Sequence, residues 1–423
     1  MGDSREDYGK YVNILKEELI PAMGCTEPIA LAYAAAKAKE LLGEMPVAVT
    51  VMASGSIIKN VKSVVVPNTG HMKGIGIAAA AGIVAGNPDK ELQVIAEVSD
   101  EQREEIQKFV ETVPVKIEPL EDGAIFDILV ILKGENSESK VRISDYHTNI
   151  CYLEKDGEVL LDRRGEAVEE VLTDRSFMTM KGIWDFVEEA DIDDVRDVLK
   201  FQMDCNWAIA EEGIKGNYGA NIGTVLLDMA GDNLRVKARA MAAAGSDARM
   251  DGCELPVVIN SGSGNQGITV SVPVMVFAKG LEVDEDKMYR ALLLANLTAI
   301  HEKTGVGRLS AYCGAVCAGS AAGAGIAYLQ GGTYDDIIHT VVNSLAIVSG
   351  IVCDGAKPSC AAKIASAVEA GILGYEMYKR DQQFRAGDGI VAKGVEKTIE
   401  NVGKLAKYGM FETNREIIRI MTQ

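Results

Sequence analysis

Three stretches decide the fold: EDKMYRALLLANLTAIHEKT (285–304), YDDIIHTVVNSLAIVSGI (334–351) and AAKIASAVEAGILGYEMYKR (361–380). In each stretch, apolar residues recur at the three- and four-residue spacing of a buried helix face. Strand signals are sparse after about residue 165. The sequence therefore predicts a mostly helical C-terminal half.

The segment 46–165 has a different pattern. β-branched runs predict strands, and one helix is expected over about 75–85. These runs include PVAVTVMAS (46–54), LQVIAEVS (92–99), TVPVKIEP (112–119) and IFDILVILKG (125–134). Because glycine-containing turns separate the last strands, the sheet should be partly antiparallel.

Residues 8–42 also read as helical, with an interruption at PAMGCTEP (21–28). We therefore predict an α/β plus all-α fold. The N-terminal helices (1–45) and residues 166–423 should form one mostly helical catalytic domain, with an inserted α/β domain over 46–165.

The charge balance excludes some classes of partner. The chain has 43 Lys and Arg against 62 Asp and Glu, a net charge of −19, which opposes binding to nucleic-acid phosphate or to an anionic membrane surface. Charges interrupt the first thirty residues where a signal peptide needs an apolar run. We therefore expect a cytoplasmic protein whose eight cysteines are free thiols, metal ligands or a catalytic thiol.

Three cysteines stand out. Cys353 and Cys360 bracket a short Gly- and Pro-containing loop, and Cys313 lies forty residues upstream in a Gly- and Ala-rich helix. Such thiols can carry an iron–sulfur cluster, and three ordinary buried cysteines fit the pattern equally well. Zinc is disfavoured because no histidine has zinc-motif spacing beside them.

Cys25 has a different setting, just before a predicted helix N-terminus at Thr26. The helix dipole favours the thiolate there, as a reactive cysteine requires, although a small apolar residue at a helix start also fits. The remaining cysteines are expected to be packing residues. They are Cys151, Cys205, Cys253 and Cys317.

Two Gly-rich regions can bind a small anion. SGSGNQG (261–267) contains Ser263 and Asn265 beside backbone N–H groups. ASGSIIKN (53–60) and PNTGH (67–71) bring a second polar group; its members include Ser54, Ser56, Lys59, Asn68, Thr69 and His71. Ordinary turn chemistry is the alternative for both regions.

Two known chemistries fit poorly. The glycines of SGSGNQG spell a dinucleotide fingerprint, but the following ITVSVPVMV (268–276) lacks a good first helical turn and contains Pro273. No segment clearly presents both a Schiff-base lysine and a phosphate cup, as pyridoxal phosphate requires. We therefore expect neither cofactor.

Taken together, PAMGCTEPIALA, SGSIIKN, NTGH, SGSGNQG and the three cysteines resemble the L-cysteine desulfidase family, which is related to the iron–sulfur L-serine dehydratase α chain. The resemblance implies the dehydratase fold and an oxygen-sensitive [4Fe–4S] enzyme that converts L-cysteine to pyruvate, ammonia and sulfide. It places the cluster on Cys313, Cys353 and Cys360 and the catalytic thiol at Cys25.

Several alternatives remain at this point. The substrate carboxylate is expected at the SGSGNQG turn or in the second polar group; the residues predicted to bind substrate are Ser54, Ser56, Asn68, Thr69, Ser263 and Asn265. L-serine is the alternative substrate. A cluster-bearing sensor and a metal-free binding protein stay open as other classes, and so does a homo-oligomer.

Overall fold

The computed structural model describes residues 4–24, 26–120, 124–165, 172–231, 233–307 and 310–422. Within that part of the chain the protein is mostly helical, with one small mixed sheet and a two-stranded ladder. This agrees with the predicted α/β plus helical class. The resemblance of the arrangement to iron–sulfur L-serine dehydratase stays a prediction.

The N-terminal region contains two helices separated by a short strand. They are α1 (Ser4–Glu18), β1 (Pro21–Met23) and α2 (Thr26–Leu42). The break between the helices falls where PAMGCTEP predicts it. Gly24 has a φ of +63° at this break, and a Cβ there would lie 2.4 Å from the Pro67 side chain, so the turn requires glycine.

Six strands form the main sheet. They are β2 (Ala48–Ser54), β3 (Val115–Leu120), β4 (Asp127–Lys133), β5 (Glu138–Ser144), β6 (Ile150–Lys155) and β7 (Glu158–Asp162). Their order is β3-β2-β4-β5-β6-β7; β2 and β3 run parallel, and the other neighbours run antiparallel. The expected partly antiparallel sheet is confirmed.

Helices accompany this sheet and then dominate the chain. Those within the sheet region are α3 (Gly55–Val61), α4 (Ile75–Ala85) and α5 (Asp100–Thr112). The later ones are α6 (Met180–Glu189), α7 (Arg196–Lys215), α8 (Ile222–Ala230), α9 (Leu234–Met250), α10 (Gly264–Gly280), α11 (Glu285–Val306), α12 (Gly314–Leu329), α13 (Tyr334–Val348), α14 (Ser359–Tyr378), α15 (Val395–Lys404) and α16 (Phe411–Thr422). No helix in these ranges is both long and apolar enough to cross a bilayer.

The buried side chains form two main cores, and the N-terminal helices divide between them. Apolar residues of α1, such as Ile14 and Leu15, belong to the core of the helical half. Those of α2, such as Leu31, belong to the core of the sheet instead. The packing thus separates α2 from the helical half to which we assigned it, while the domain bounds at 45/46 and 165/166 stay predictions.

One β-branched run does not form the expected strand, and another lies in a helix. Residues 92–99 form the end of a 3₁₀ turn (Pro88–Gln93) and an irregular segment. ITVSVPVMV lies inside α10, with Pro273 in the helix interior. Since this helix is buried on nearly every side, tertiary packing outweighs the strand preference of its valines. The strand before it, β8 (Pro256–Val258), pairs antiparallel with β1, which is not the parallel βαβ unit of a dinucleotide site.

Candidate active site

Cys313, Cys353 and Cys360 line one cavity of about 900 Å³, part of which opens to solvent. Cys313 is the N-cap residue of α12, and Cys360 lies in the first turn of α14. Cys353 lies in the connection between α13 and α14. Helix N-termini carry partial positive charge, so two of the three sulfur atoms lie where a thiolate is favoured. Helix α14 starts at Ser359, and its N-cap residue is Pro358.

Backbone pairing fixes two of these cysteines relative to each other. The N–H of Cys313 donates to the carbonyl of Ile351 at 3.1 Å, and the N–H of Cys353 donates to the carbonyl of Ala311 at 2.6 Å. The two segments therefore form a short antiparallel bridge. Residues forty positions apart are held side by side at the edge of the cavity.

A glycine contact sets the distance between the helices that carry Cys313 and Cys360. A Cβ at Gly319 of α12 would lie 2.5 Å from the backbone of Ala367, and one at Gly323 would lie 2.7 Å from the backbone of Gly371. The contacting residue of α14 moves from 367 to 371 as that of α12 moves from 319 to 323, so the two helices run parallel with their N-termini at the same end. Small residues thus let two cysteine-bearing helix ends meet.

Burial and neighbouring groups shift the pKa values of Cys313 and Cys360. Burial, and then the neighbouring Cys353, raises the pKa of Cys313 to about 12. Burial also raises the pKa of Cys360, and the nearby Lys357 ammonium acts in the opposite direction. A cation bound among these thiols would favour the thiolates, as metal binding does for cysteine ligands generally.

Three buried cations also line the cavity. Lys59 is 2% exposed, and Arg249 and Lys303 are each 6% exposed. Lys59 Nζ donates to the Cys353 carbonyl at 3.3 Å and to Asn414 Oδ1 at 2.9 Å, and burial lowers the pKa of this ammonium. Burial lowers the pKa of Lys303 as well.

None of the three cations forms an ion pair with a carboxylate in the described ranges. Glu27 lines the same cavity, but its carboxylate accepts from Asn60 Nδ2 at 2.9 Å. Buried cations normally require an anionic partner. In a chain of net charge −19, this concentration of unpaired positive charge indicates that the cavity accommodates anions.

Three thiols on one cavity are donors of the type that an iron–sulfur cluster uses. Among the described residues, no three His, Cys, Asp or Glu side chains lie close enough to share one ion. A single zinc ion needs its sulfur ligands within about 2.3 Å of one point. A [4Fe–4S] cluster spans more widely spaced thiolates, and the cations around the cavity would offset their charge. The residues present therefore fit the cluster.

The SGSGNQG turn lies on the same cavity. Ser263 is the N-cap of α10, where its hydroxyl accepts from the Gln266 N–H at 3.5 Å. Ser263 and Asn265 both line the cavity, together with Ser261. The structure thus brings two of the predicted substrate-binding residues beside the three cysteines.

The second polar group is spread over other positions. The Ser54 hydroxyl donates to the Ile125 carbonyl at 2.7 Å and caps α3, and Ser56 lines an adjoining cavity. Asn68 donates to the Ile95 carbonyl at 2.9 Å, and Thr69 donates to the Val66 carbonyl at 2.7 Å. The side chains of Ser54 and Asn68 thus bind carbonyls of distant segments, and that of Thr69 binds its own turn. These three residues do not line the cysteine cavity.

Cys25 lies outside the described residues. On one side of it, the Gly24 carbonyl accepts from Arg249 Nη2 at 2.9 Å. On the other side, Thr26 begins α2 and lines the cysteine cavity. The proposed role of Cys25 stays a prediction.

Sequence reasoning missed Lys303, Arg249 and Gln266, which all line the cavity. Arg249 and Gln266 are each 6% exposed. Gln266 was inside a quoted motif, but Arg249 lies in an alanine-rich helix and is joined to Gly24 across 225 positions. The other cysteines of the described part do not line the cavity. They are Cys151, Cys205, Cys253 and Cys317.

Comparison with known proteins gives full-length similarities. The family described as "Serine dehydratase alpha chain" matches residues 89–419. The chain is 57% identical over 415 residues to a UPF0597 protein of Desulfitobacterium hafniense, covering 98% of this chain and 96% of that protein. It is 51% identical over 415 residues to a UPF0597 protein of Lachnoclostridium phytofermentans, covering 98% and 99%. For a UPF0597 protein of Treponema denticola the identity is 43% over 428 residues, covering 100% and 99%.

Proposed function

The chain belongs to the family of serine dehydratase alpha chains, as its motifs predict, and on that premise we propose that it is a lyase that eliminates sulfide from L-cysteine. The products are pyruvate and ammonia besides sulfide. One observation supports this proposal above the others: three cysteines line a single cavity whose buried cations have no carboxylate partner in the described ranges.

In this proposal Cys313, Cys353 and Cys360 hold a [4Fe–4S] cluster. With three protein ligands, the bound cluster supplies an open iron site that acts as a Lewis acid toward the substituent on the substrate's Cβ. Lys59 and Lys303 stabilise the thiolate ligands electrostatically. No pyridoxal phosphate takes part.

The remaining steps use the chain's own groups. Cys25 accepts the Cα proton as a thiolate, favoured by the N-terminus of α2 that begins at Thr26. Arg249 holds the preceding residue, Gly24, through its carbonyl. Ser263 and Asn265, which line the same cavity, bind the substrate.

The reaction balances without an oxidant. The electron pair of the Cα–H bond becomes the Cα=Cβ bond, and the Cβ–S bond breaks with its pair going to sulfide. The enamine that remains takes up water and loses ammonia to give pyruvate. The base must therefore return one proton to the products before the next turnover.

The first test is iron and acid-labile sulfide per chain after anaerobic purification and reconstitution. We expect about four of each in the parent and a clear loss in Cys353→Ala. Cys205→Ala is the matched control, because that cysteine is buried in α7 and does not line the cavity. A parent without iron would refute the cluster.

The second test concerns Cys25. Cys25→Ala should retain the iron content and absorption spectrum of the parent while pyruvate formation is lost. If iron is lost as well, Cys25 is a ligand rather than a base. If iron and pyruvate formation both persist, Cys25 has neither role.

L-serine is the second candidate substrate, because the matching family is named for serine dehydratase. The two substrates share the same elimination and differ in the leaving group. A comparison of kcat/KM for L-cysteine and L-serine on the reconstituted protein decides between them. A loaded protein that makes pyruvate from neither would contradict the lyase proposal and favour a sensor.

A further inference from the structure

Arg249 has spare donors at the cavity. Its guanidinium gives one hydrogen bond to the Gly24 carbonyl at 2.9 Å and one to Asn265 Oδ1 at 3.2 Å, both neutral acceptors. Its Nε is buried and has no partner. A guanidinium carries five N–H donors and stays charged at any pH the protein encounters. A cation that is 94% buried therefore faces the cavity without an anionic partner among the residues that the structure describes.

The same guanidinium lies against the first turn of α10. A Cβ at Gly264 would lie 2.4 Å from Arg249 Nε, so only glycine lets the two approach so closely. The first N–H groups of a helix lack intrahelical acceptors and carry partial positive charge. The cation and the helix end thus act on the same space, which suits a carboxylate.

Gln266 supplies an acceptor next to this position. The side chain is 94% buried, lines the cavity, and its Oε1 has no hydrogen-bond partner. Its carboxamide lies over Gly314, where a Cβ would be 2.4 Å from Gln266 Cδ. Gly314 directly follows Cys313, so the unpaired acceptor lies between the Arg249 side of the cavity and a cysteine.

We propose that Arg249 binds the α-carboxylate of the substrate and that Gln266 Oε1 accepts a hydrogen bond from its α-ammonium group. This pair restricts the site to α-amino acids and leaves the β-substituent toward Cys313. The inference rests on the proposed function for the class of substrate. Arg249 and Gln266 would bind the α-carboxylate and the α-ammonium group whichever β-substituent leaves.

Isothermal titration of the anaerobically reconstituted protein with three probes tests this assignment. L-alanine has both α-groups and no leaving group, so its binding does not depend on turnover. Propionate lacks the ammonium group, and ethylamine lacks the carboxylate. In the parent, L-alanine should bind more tightly than either.

Each variant should remove one part of this preference. Arg249→Gln should raise the Kd of L-alanine about 10- to 100-fold, to that of ethylamine, and leave the Kd of ethylamine unchanged. Gln266→Met should bring L-alanine toward propionate and leave propionate unchanged. Gly264→Ala keeps every charge but displaces the guanidinium, so it tests the carboxylate contact even if Arg249→Gln does not fold.

Arg239→Gln is the matched control. Arg239 lies on α9 like Arg249 and also has a buried Nε without a partner, but it pairs with Glu369 at 3.2 Å and does not line the cavity. It should leave all three Kd values unchanged. The inference is overturned if the parent does not bind L-alanine, or if Arg249→Gln and Gly264→Ala bind it as the parent does. Neither result bears on pyruvate formation, whose absence would refute the lyase proposal instead.

Discussion

Gly319→Ala should lower the amount of iron retained by the proposed cluster site, because it changes the distance between α12 and α14. The added Cβ would lie 2.5 Å from the carbonyl carbon of Ala367, and Cβ atoms in proteins essentially never approach another heavy atom within 3.0 Å. Backbone atoms of a buried helix cannot move aside as a flexible side chain does. The axes of α12 and α14 must therefore separate by about 0.5 Å at this level.

The energetic and geometric costs differ in size. Overpacking a core costs about 1–3 kcal/mol, while replacing glycine by alanine in a helix recovers about 0.5–1 kcal/mol. The free energy of unfolding should thus fall by about 1–2 kcal/mol. Metal ligands tolerate displacements of only about 0.2 Å, and Gly319 lies six residues from Cys313. Iron retention should therefore suffer more than stability does.

Iron and acid-labile sulfide per chain, with urea unfolding of the same samples, measure both effects. Gly9→Ala is the control, since Gly9 lies in α1 and a Cβ there meets nothing within 4 Å. It should gain about 0.5–1 kcal/mol and keep its iron. If Gly319→Ala behaves like Gly9→Ala in both assays, the glycine contact does not set the cysteine spacing.

Three further predictions follow from buried charges. Lys59→Met removes a buried cation without a carboxylate partner in the described ranges, so it should raise the free energy of unfolding of the iron-free protein by about 1 kcal/mol. It should also lower the iron retained per chain. A variant in which stability and iron content both rise, or both fall, would contradict this. Burial raises the pKa of Asp247 from 3.8 to about 6. Between pH 3.8 and 6 the folded state therefore binds more protons than the unfolded state, so stability falls as the pH rises. Asp247→Asn should flatten this dependence in urea unfolding at a series of pH values. Arg142→Met should cost about 3 kcal/mol, because it leaves Asp127 buried without its bidentate partner, and adding Asp127→Asn should restore part of the loss in the same unfolding assay.

Local sequence patterns were enough for many elements. The helix over 75–85 and the interruption at 21–28 lie where they were expected, because each is marked by glycine or proline at its ends. Residues 268–276 were judged a poor continuation of a helix, yet they lie inside α10, because a fully buried apolar run shows neither helical nor strand periodicity. The length of the element then distinguishes a helix from a strand, and this run belongs to a 17-residue helix whose other turns are less apolar.

Some residues of the candidate site could also be predicted from the sequence, and others could not. The sequence could single out Cys313, Cys353 and Cys360, because the residue type and the neighbouring Gly and Pro residues are visible in the chain itself. Arg249 could not, since its role depends on the meeting of α9 with the Gly24 turn and with α10. Asn68 and Thr69 were predicted to bind substrate, but the Asn68 amide binds the Ile95 carbonyl and the Thr69 hydroxyl binds the Val66 carbonyl of its own turn.

The position of the thiols between two cores has a consequence for the lifetime of the protein. Cys313 packs against the core of the helical half, and Cys360 packs against the core of the sheet. The proposed cluster, bound by both, would add a link to the contacts that already join residues 46–165 to the helical half. These contacts include the Lys59 hydrogen bonds to Cys353 and Asn414, the hydrogen bond between His71 Nδ1 and the Asp251 carbonyl, and the packing of α3 against α16. Loss of the proposed cluster would remove that link, so the two cores should open from each other more readily and native-state proteolysis should increase.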